Sequence, residues 1–312
     1  MKILISGSLA YDRIMTFPGK FADHILPEKI HVLSVSFMVS GLTELYGGTA
    51  GNIAFSLALL GERPMILAAA GKDFDRYADR LLDLGVSVEG IRRIEDEFTG
   101  GAYITTDMDD CQITGFNPGA MSHASLFNLD GVDPAKALAI VAPGNVEDML
   151  AYPRLYREKG VRYIFDPGQQ LPVISGEDLA EALTGAEILI SNDYELEKIS
   201  QMTGLDKAGL LARVEVIITT LGEHGALIST SEGDRPVPAA KVGQVKDPTG
   251  AGDAFRSGLI KGLTMGLSLD LATRVGAVCA AYAVEKQGTQ EHTFTEAQFW
   301  ARYEKNYGPP TK

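Results

Sequence analysis

The chain has 312 residues, of which 45% are hydrophobic, and it carries a formal net charge of −13. This length and apolar content can bury a large core, which fits one α/β domain with a small accessory part. The negative charge argues against nucleic acid or an anionic membrane surface as a partner. It does not exclude a phosphorylated ligand, because backbone N–H groups bind anions without any net positive charge.

The cysteine content and the apolar runs bear on location. Cys111 and Cys279 lack the spacing of a metal site and are too few for a disulfide framework, so we expect a reducing cytoplasm. The run Lys2 to Ser8 is too short for a signal peptide and lacks a cleavage-like site. No stretch reaches the ~18 apolar residues of a membrane span.

Short aliphatic runs alternate with helical patterns along most of the chain. This alternation predicts a mostly parallel sheet with helices on both faces. Helices are predicted at Asn52–Leu60 and Asp75–Leu84, each followed by a glycine suited to a helix C-cap. The predicted strands are Lys2–Ser6, Pro64–Ala69, Ala137–Ala142, Val161–Asp166, Glu187–Ser191 and Val214–Thr220.

Two segments interrupt the alternation. Residues 13–46 alternate polar and apolar positions without a clear helix, and residues 99–116 predict a hairpin of Ala102–Thr106 and Gln112–Phe116. We expect both to form a small second sheet, a lid over one edge of the core. The predicted organisation is therefore a single domain of residues 1–312, with lid strands from about 13–46 and 99–116.

The segment Asp247–Asp253 carries the strongest chemical signal. It follows an extended run, Lys241–Lys246, and precedes a predicted helix, Ala254–Thr264. The small residues at its end therefore lie at a helix N-terminus, where free N–H groups and the helix dipole attract anions. These residues are Gly250, Ala251 and Gly252.

A carboxylate at Asp253 would compete with an anion bound at that helix N-terminus. The arrangement makes chemical sense if Asp253 takes a proton from an attacking hydroxyl while the N–H groups hold a transferring phosphate. The alternative is an ordinary glycine turn with an aspartate cap, which Gly-x-Gly alone would favour.

The string Asp-Pro-Thr-Gly-Ala-Gly-Asp-Ala-Phe resembles the C-terminal signature of the ribokinase-like (PfkB-type) carbohydrate and nucleoside kinases. Gly47 to Asn52 resembles their N-terminal signature, and the resemblance extends from Gly7 to about Gly288. It implies a ribokinase-like α/β fold with a small β-sheet lid, and phosphate transfer from ATP with Mg²⁺. It also implies that Asp253 is the catalytic base and that residues 250–252 form the anion site.

Two further segments suit an acceptor with hydroxyl groups. Gly48 exposes backbone N–H at the mouth of a helix, and Asn52 offers both a donor and an acceptor. Ser8 and Asp12 follow the first strand, where open α/β sheets bind ligands, and a carboxylate can accept both protons of a diol. The residues alone favour packing or loop roles, whereas the resemblance implies substrate contacts, with Asp12 holding sugar hydroxyls.

The nucleotide end is suggested by two loops that follow predicted strands. Asn192-Asp193-Tyr194-Glu195 resembles the family's Asn-x-x-Glu motif, which implies that Asn192 and Glu195 order water around Mg²⁺. For this first loop, the alternative is an ordinary capped helix start. For the second loop, residues 219–225, the alternative is a glycine-rich hairpin turn. Other nucleotide-binding folds fit less well, because no P-loop string occurs and no Gly-x-Gly-x-x-Gly follows the first strand. The implied ATP-binding residues are Asn192, Thr220, Gly222, Gly225 and Gly252.

Several stretches resemble the nucleoside kinase branch, especially bacterial adenosine kinases. A purine needs an apolar slot and a few amide-like partners. Phe116 can supply a ring face, Gln169 and Gln170 can read the base edge, and Ser36 can add a polar contact. The stretches are Ser6–Asp12, Leu26-Pro27-Glu28 through Ser34–Phe37, Gln112–Ala120, Asp166–Leu171 and Gly288–Glu291.

The branch assignment leaves alternatives open. Some relatives carry an aromatic residue near Ala102, which this chain lacks, so base stacking is either looser or comes from Tyr103 or Phe37. A plainer interpretation is that Phe116 packs in the core of the lid and that the two glutamines are surface residues without a role in base recognition.

We predict adenosine as the acceptor, converted to AMP with release of ADP. A sugar kinase for ribose, fructose or a related ketose is one alternative, and a non-catalytic nucleoside-binding protein is another. The resemblance also suggests a K⁺ site near Asp247 and Gly288, and a homodimer formed through the lid.

Overall fold

The computed structural model describes residues 1–25, 31–32 and 34–310. Its strands are β1 (Lys2–Ser6), β2 (Ala10–Thr16), β3 (Gly41–Gly47), β4 (Met65–Gly71), β5 (Ile91–Ile94), β6 (Gly100–Thr106), β7 (Gln112–Asn117), β8 (Ala137–Val141), β9 (Arg162–Phe165), β10 (Ile188–Asn192), β11 (Val216–Thr220), β12 (Ala226–Thr230) and β13 (Gly233–Val237). Its helices are α1 (Thr49–Leu59), α2 (Asp75–Asp83), α3 (Val146–Lys159), α4 (Gly176–Leu183), α5 (Asp193–Thr203), α6 (Lys207–Leu211), α7 (Ala251–Thr264), α8 (Leu269–Val284) and α9 (Glu296–Tyr307).

The large sheet has the strand order β13-β12-β11-β10-β9-β8-β1-β4-β5. Strands from β5 to β11 run parallel, and β12 and β13 add antiparallel at one edge. Each strand predicted from the sequence forms, with ends that differ by at most two residues. The parallel part explains the near-continuous aliphatic runs, because such strands are covered on both faces.

Helices pack on both faces of this sheet, as the alternating pattern predicts. Ile3 and Ile5 of β1 belong to a core that contains residues of α1, α2 and α7. Leu4, between them, faces the opposite core with residues of α3, α4 and α5. The alternation follows from strand geometry, in which successive side chains point to opposite faces.

A separate four-stranded sheet, the lid sheet, has the order β3-β2-β6-β7. The β6–β7 hairpin matches the predicted one, and Asp107 holds its turn by accepting hydrogen bonds from the backbone of Asp109 and Cys111 at 2.9 Å each. Of the stretches that resemble adenosine kinases, Leu26-Pro27-Glu28 lies outside the described residues. Strands β2 and β3 account for the ends of the alternating segment at 13–46.

Two predicted boundaries differ from the structure in ways that matter for the site. The run Lys241–Lys246 forms no strand, because the backbone of Lys246 bonds to the Val284 carbonyl at the end of α8 instead of a sheet neighbour. Helix α7 begins at Ala251, three residues earlier than predicted, which places Asp253 inside its first turn. Among the residues that the structure describes, no helix is long and apolar enough to cross a membrane.

Candidate active site

A cleft of about 980 Å³ runs along the carboxyl edge of the large sheet, beneath strands β2 and β7 of the lid sheet. The N-termini of α1 and α7 open into it. Three predicted site residues, Ser36, Ala251 and Gly225, are not among those that line it. The predicted residues that line the cleft are Ser8, Asp12, Gly48, Asn52, Phe116, Gln169, Gln170, Asn192, Glu195, Thr220, Gly222, Gly250, Gly252 and Asp253.

Asp253 lies in the first turn of α7, where the helix meets the cleft. Burial raises the pKa of Asp253 to about 6, although a hydrogen bond from Asn52 and the charge of Arg256 pull it down. Asn52 Nδ2 donates to Asp253 Oδ2 at 2.8 Å. A carboxylate with this pKa is mostly ionised at pH 7 and remains basic enough to accept a proton, as general-base catalysis requires.

The backbone before Asp253 carries the predicted anion site, defined here as the N–H groups of Gly250 and Gly252. Gly250 has a φ of +77°, a left-handed conformation that glycine adopts without strain. Ala251 N–H donates to the Pro248 carbonyl at 3.2 Å. Within the described part of the chain, no protein acceptor is found for the N–H of Gly250 or Gly252. Two of the three predicted donors are therefore free for an anion, and the third closes the turn.

A chain of hydrogen bonds fixes the amide that contacts Asp253. Tyr77 donates to the Gly47 carbonyl at 2.9 Å, so its hydroxyl oxygen accepts from Gln290 Nε2 at 2.5 Å. Gln290 Nε2 also donates to Asn52 Oδ1 at 3.1 Å. With its oxygen held in this way, Asn52 can present only its amino group to the carboxylate.

The glycine before Asn52 makes room for this chain. A Cβ at Gly51 would lie 1.9 Å from the Tyr77 hydroxyl oxygen, so no other residue fits unless Tyr77 moves. Sequence reasoning assigned no role to Tyr77 or Gln290. Tyr77 looks like an ordinary helix residue facing the core, and Gln290 appears only within the Gly288–Glu291 stretch.

Asp12 reaches the cleft from β2. Burial raises its pKa, and the negative charge of Asp247 adds to the effect. No protein donor contacts the Asp12 carboxylate among the described residues, so it is available to ligand hydroxyls. Ser8 differs, because its hydroxyl oxygen accepts from the Thr49 N–H at 3.0 Å and thereby caps α1. A substrate contact by Ser8 stays a prediction.

The far end of the cleft carries the side chains predicted to read a base. Phe116 on β7 lines the cleft and is 53% exposed. Gln170 Nε2 donates to the Gly144 carbonyl at 2.8 Å, which leaves its Oε1 for a ligand. Gln169 is exposed, and its amide is free to turn.

The two alternative stacking residues are engaged elsewhere. Tyr103 accepts a hydrogen bond from Arg13 at 3.0 Å, and that guanidinium also lies over its ring. Phe37 packs against Phe17 and Phe21, with ring centroids 4.7 and 5.2 Å away. Ser36 is exposed. Of the three aromatic residues named for base stacking, Phe116 is the one that lines the cleft.

The predicted nucleotide end contains a reciprocal capping box at the start of α5. Asn192 Oδ1 accepts from the Glu195 N–H at 2.7 Å, and Glu195 Oε2 accepts from the Asn192 N–H at 2.8 Å. The second Glu195 oxygen remains for water. No cluster of three or more acidic, histidine or cysteine side chains that could hold a metal is found in the described residues. One carboxylate acting through water fits Mg²⁺, which keeps much of its water shell.

The predicted nucleotide loop divides between cleft and scaffold. Thr220 and Gly222 line the cleft, and Gly222 has a φ of +58°. Gly225 packs behind it, where a Cβ would lie 2.1 Å from the Val237 carbonyl oxygen of β13. The position therefore requires glycine for packing against the edge strand, whatever its relation to a nucleotide.

Sequence reasoning missed one ion pair in the wall of the cleft. Asp166 follows the end of β9, and Arg256 lies on α7, one turn after Asp253. The two side chains are in contact and almost fully buried. Asp166 did have a positional signal, since it follows a parallel strand at the edge where such sheets bind ligands.

A mostly parallel α/β sheet, a separate β lid and a glycine-rich helix start that carries an aspartate are the features of the ribokinase-like kinases. The chain belongs to the pfkB family of carbohydrate kinases, whose family model matches residues 13–296.

Relatives and solved structures agree with this assignment. A nucleoside kinase of Methanocaldococcus jannaschii is 32% identical over 89% of this chain and 92% of its own length. The structure of Burkholderia thailandensis nucleoside kinase in complex with inosine has a TM-score of 0.87 and 38% identity, covering 99% of this chain and 98% of that one. Its complex with ADP-inosine has a TM-score of 0.84 and 40% identity, covering 99% and 97%. The predicted ribokinase-like fold is confirmed.

The role of Asp253 can be tested by Asp253→Asn, which keeps shape but cannot take up the hydroxyl proton. We expect kcat to fall about 10²- to 10⁴-fold, the usual range for a general base. Acceptor binding, measured by calorimetry, should change little, because Asn preserves the hydrogen-bonding surface. Full turnover by this variant would remove Asp253 from the role.

The hydrogen-bond chain can be tested through pH. A base works when ionised, so the wild-type kcat/KM should be lost as the pH falls through about 6, the pKa of Asp253. In Gln290→Leu the Asn52 amide is no longer oriented, the ionised carboxylate loses a donor, and the acidic limb should move to higher pH. Thermal unfolding serves as the folding control. An unmoved limb in a folded variant would show that Gln290 does not act through Asn52.

Proposed function

We propose that this chain is an ATP-dependent nucleoside kinase that transfers the γ-phosphate of ATP to the 5′-hydroxyl of a ribonucleoside. The observation that carries the proposal is a single cleft that contains both Asp253 beside the anion site and Asp12 without a protein donor. The similarity to nucleoside kinases, including one solved with inosine, supports the choice of acceptor.

The proposed reaction is an in-line displacement. The 5′-hydroxyl gives its proton to the Asp253 carboxylate as its oxygen forms a bond to the γ-phosphorus. The bond from that phosphorus to the bridging oxygen breaks, and ADP leaves with the electron pair. The N–H groups of Gly250 and Gly252 stabilise charge on the transferring group. Ala251 N–H, also predicted to contribute, would first have to leave the Pro248 carbonyl.

Mg²⁺ would lie at the nucleotide end, where Glu195 and Asn192 would hold it through water. When bound, it would neutralise charge on the phosphate oxygens. Thr220 and Gly222 would line the ATP site, and closure of the lid sheet would exclude water. The Asp247 carboxylate accepts from the N–H groups of Gly288 and Thr249, at 3.0 and 2.9 Å. This joins the two loops of the predicted K⁺ site, but K⁺ use, a lid-to-lid homodimer and a cytoplasmic location stay predictions.

Adenosine is the proposed first acceptor, with a keto purine also used. Gln170 offers its fixed carbonyl oxygen, which suits the amino group of adenine, while Gln169 can turn either end of its amide toward the base. A side chain that turns avoids the unpaired buried groups by which strict sites reject analogues. The inosine complexes of the Burkholderia enzyme are consistent with this breadth.

One observation favours a sugar as the acceptor instead. Phe116 is 53% exposed, so the base end of the cleft is not an enclosed apolar slot. A ribose or ketose would need only Asp12 and its neighbours at the hydroxyl end.

The role of Asp12 can be tested with Asp12→Ala. If Asp12 holds the ribose diol, ribonucleosides should lose about 1.5–3 kcal/mol of binding, the range for hydrogen bonds to a charged group. The 2′-deoxy and 3′-deoxy analogues should lose far less. Asp96→Ala, at an exposed turn outside the cleft, is the matched control. Equal losses for every sugar would mean that Asp12 acts only through folding.

The acceptor assignment can be tested with purified protein, ATP and a panel of adenosine, inosine, guanosine and ribose. We expect adenosine to give the highest kcat/KM and at least one keto purine to be phosphorylated. Gln169→Leu should narrow or weaken base choice without changing KM for ATP. Gln201→Leu, an exposed glutamine of α5 outside the cleft, is the control. Ribose as the best wild-type substrate would overturn the nucleoside assignment.

A further inference from the structure

Arg256 is a buried cation at the phosphate end of the cleft. The residue is only 6% exposed, and its Nε contacts Asp166 Oδ2. Within the described residues, the guanidinium has no hydrogen bond to any protein acceptor beyond Asp166. Arginine has five N–H donors in a rigid fork, so this one contact leaves donors unused.

The unused donors lie next to the anion site. Arg256 lines the cleft, and its Nη1 is 2.7 Å from the position that a Cβ would take at Gly252. A side chain at Gly252 would therefore collide with the guanidinium. The same glycine keeps its own N–H free and leaves space for the arginine fork beside it.

The charge balance of the cleft also points to Arg256. Among the described residues that line the cleft, Arg256 is the one cation, whereas the carboxylates are Asp12, Asp166, Asp193, Glu195 and Asp253. ATP brings further negative charge into this surrounding. Asp253 and Glu195 both lie near enough to act electrostatically on the guanidinium.

We propose that Arg256 is a catalytic residue whose Nη groups bind a non-bridging oxygen of the transferring γ-phosphoryl group. The inference rests on the phosphoryl transfer proposed above and adds a cation to the two backbone donors. No extra bond is made or broken: charge that develops on the phosphoryl oxygens is met by a fixed guanidinium. Asp166 then acts as a positioning residue that holds the fork in place.

The competing explanation is that Arg256 only neutralises Asp166. Replacing both partners by apolar residues of similar size distinguishes the two explanations, because an apolar pair can substitute for a buried ion pair without loss of folding. The variants are therefore Arg256→Met alone and Asp166→Leu with Arg256→Met. Arg256→Lys keeps the charge of the pair but loses the fork, and it tests the inference even where the apolar variants fail to fold.

We expect both methionine variants to lose about 10²- to 10³-fold in kcat, as on removal of one donor to a developing oxyanion. Nucleoside and ADP affinities should change less than about threefold, because the contact forms mainly in the transition state. Tight binding of ADP with aluminium fluoride, Mg²⁺ and nucleoside, a mimic of the transferring group, should be lost. Arg256→Lys should lose at least about tenfold in kcat, since a lysine presents no fork.

The pH profile excludes an indirect effect through the base. Loss of the positive charge raises the pKa of Asp253, which lowers activity near neutrality. At pH 9 the base is ionised in every variant, so a deficit that persists there belongs to the phosphoryl group. The inference would be overturned if the loss of kcat disappears at pH 9. It would also be overturned by a near-normal kcat in the folded double variant or in Arg256→Lys, or by unchanged binding of ADP with aluminium fluoride.

These results are separable from the nucleoside proposal. If the wild type phosphorylates a sugar and no nucleoside, the proposed function fails, and the same variants are then measured with that sugar. If the wild type phosphorylates nucleosides and the Arg256 variants do so equally well, only the role of Arg256 fails.

Discussion

The proposed chemistry depends on keeping the Asp253 carboxylate ionised although it is partly buried and lies beside the N–H groups proposed to bind phosphate. Two effects raise the pKa of Asp253: the loss of contact with water on burial, and nearby negative charge. Two features oppose them: the hydrogen bond from the Asn52 amide and the positive charge of Arg256. Without these features the pKa of the carboxyl group would be higher still, and a protonated carboxyl cannot act as a base.

The same requirement explains why α1 and α7 are packed together. Asn52 and Asp253 are 201 residues apart in the chain, so only tertiary packing can join them. The Ser257 hydroxyl of α7 donates to the Ile53 carbonyl of α1 at 3.1 Å and ties the two helices next to the site. Tyr77 and Gln290 extend this contact to α2 and to the chain after α8. The geometry around Asp253 therefore depends on four parts of the chain.

The sequence predicts those parts of the fold and site that are encoded locally. The strands of the parallel sheet are short aliphatic runs. Residues Gly250 to Asp253 are recognisable because two glycines and a carboxylate occur within four consecutive positions. The run Lys241–Lys246 misleads because its backbone partner, Val284, lies on a distant helix. Gln290 joins Asn52 across 238 residues, and no local pattern marks such a contact. Ser8 is ambiguous for a similar reason, since the cap it provides belongs to α1, 41 residues later.

The polar groups that line the cleft differ between the proposed acceptor end and the proposed phosphoryl site. At the acceptor end, Asp12 is a carboxylate without a protein donor, a group that attracts hydroxyl protons and repels phosphate. At the proposed phosphoryl site, the Gly250 and Gly252 N–H groups and Arg256 offer donors that attract phosphate oxygens, and Asp166 neutralises part of the Arg256 charge. Asp253 lines the same cleft. In the proposed reaction it would receive the proton of a hydroxyl held near Asp12 as the oxygen of that hydroxyl meets a phosphorus held at the start of α7.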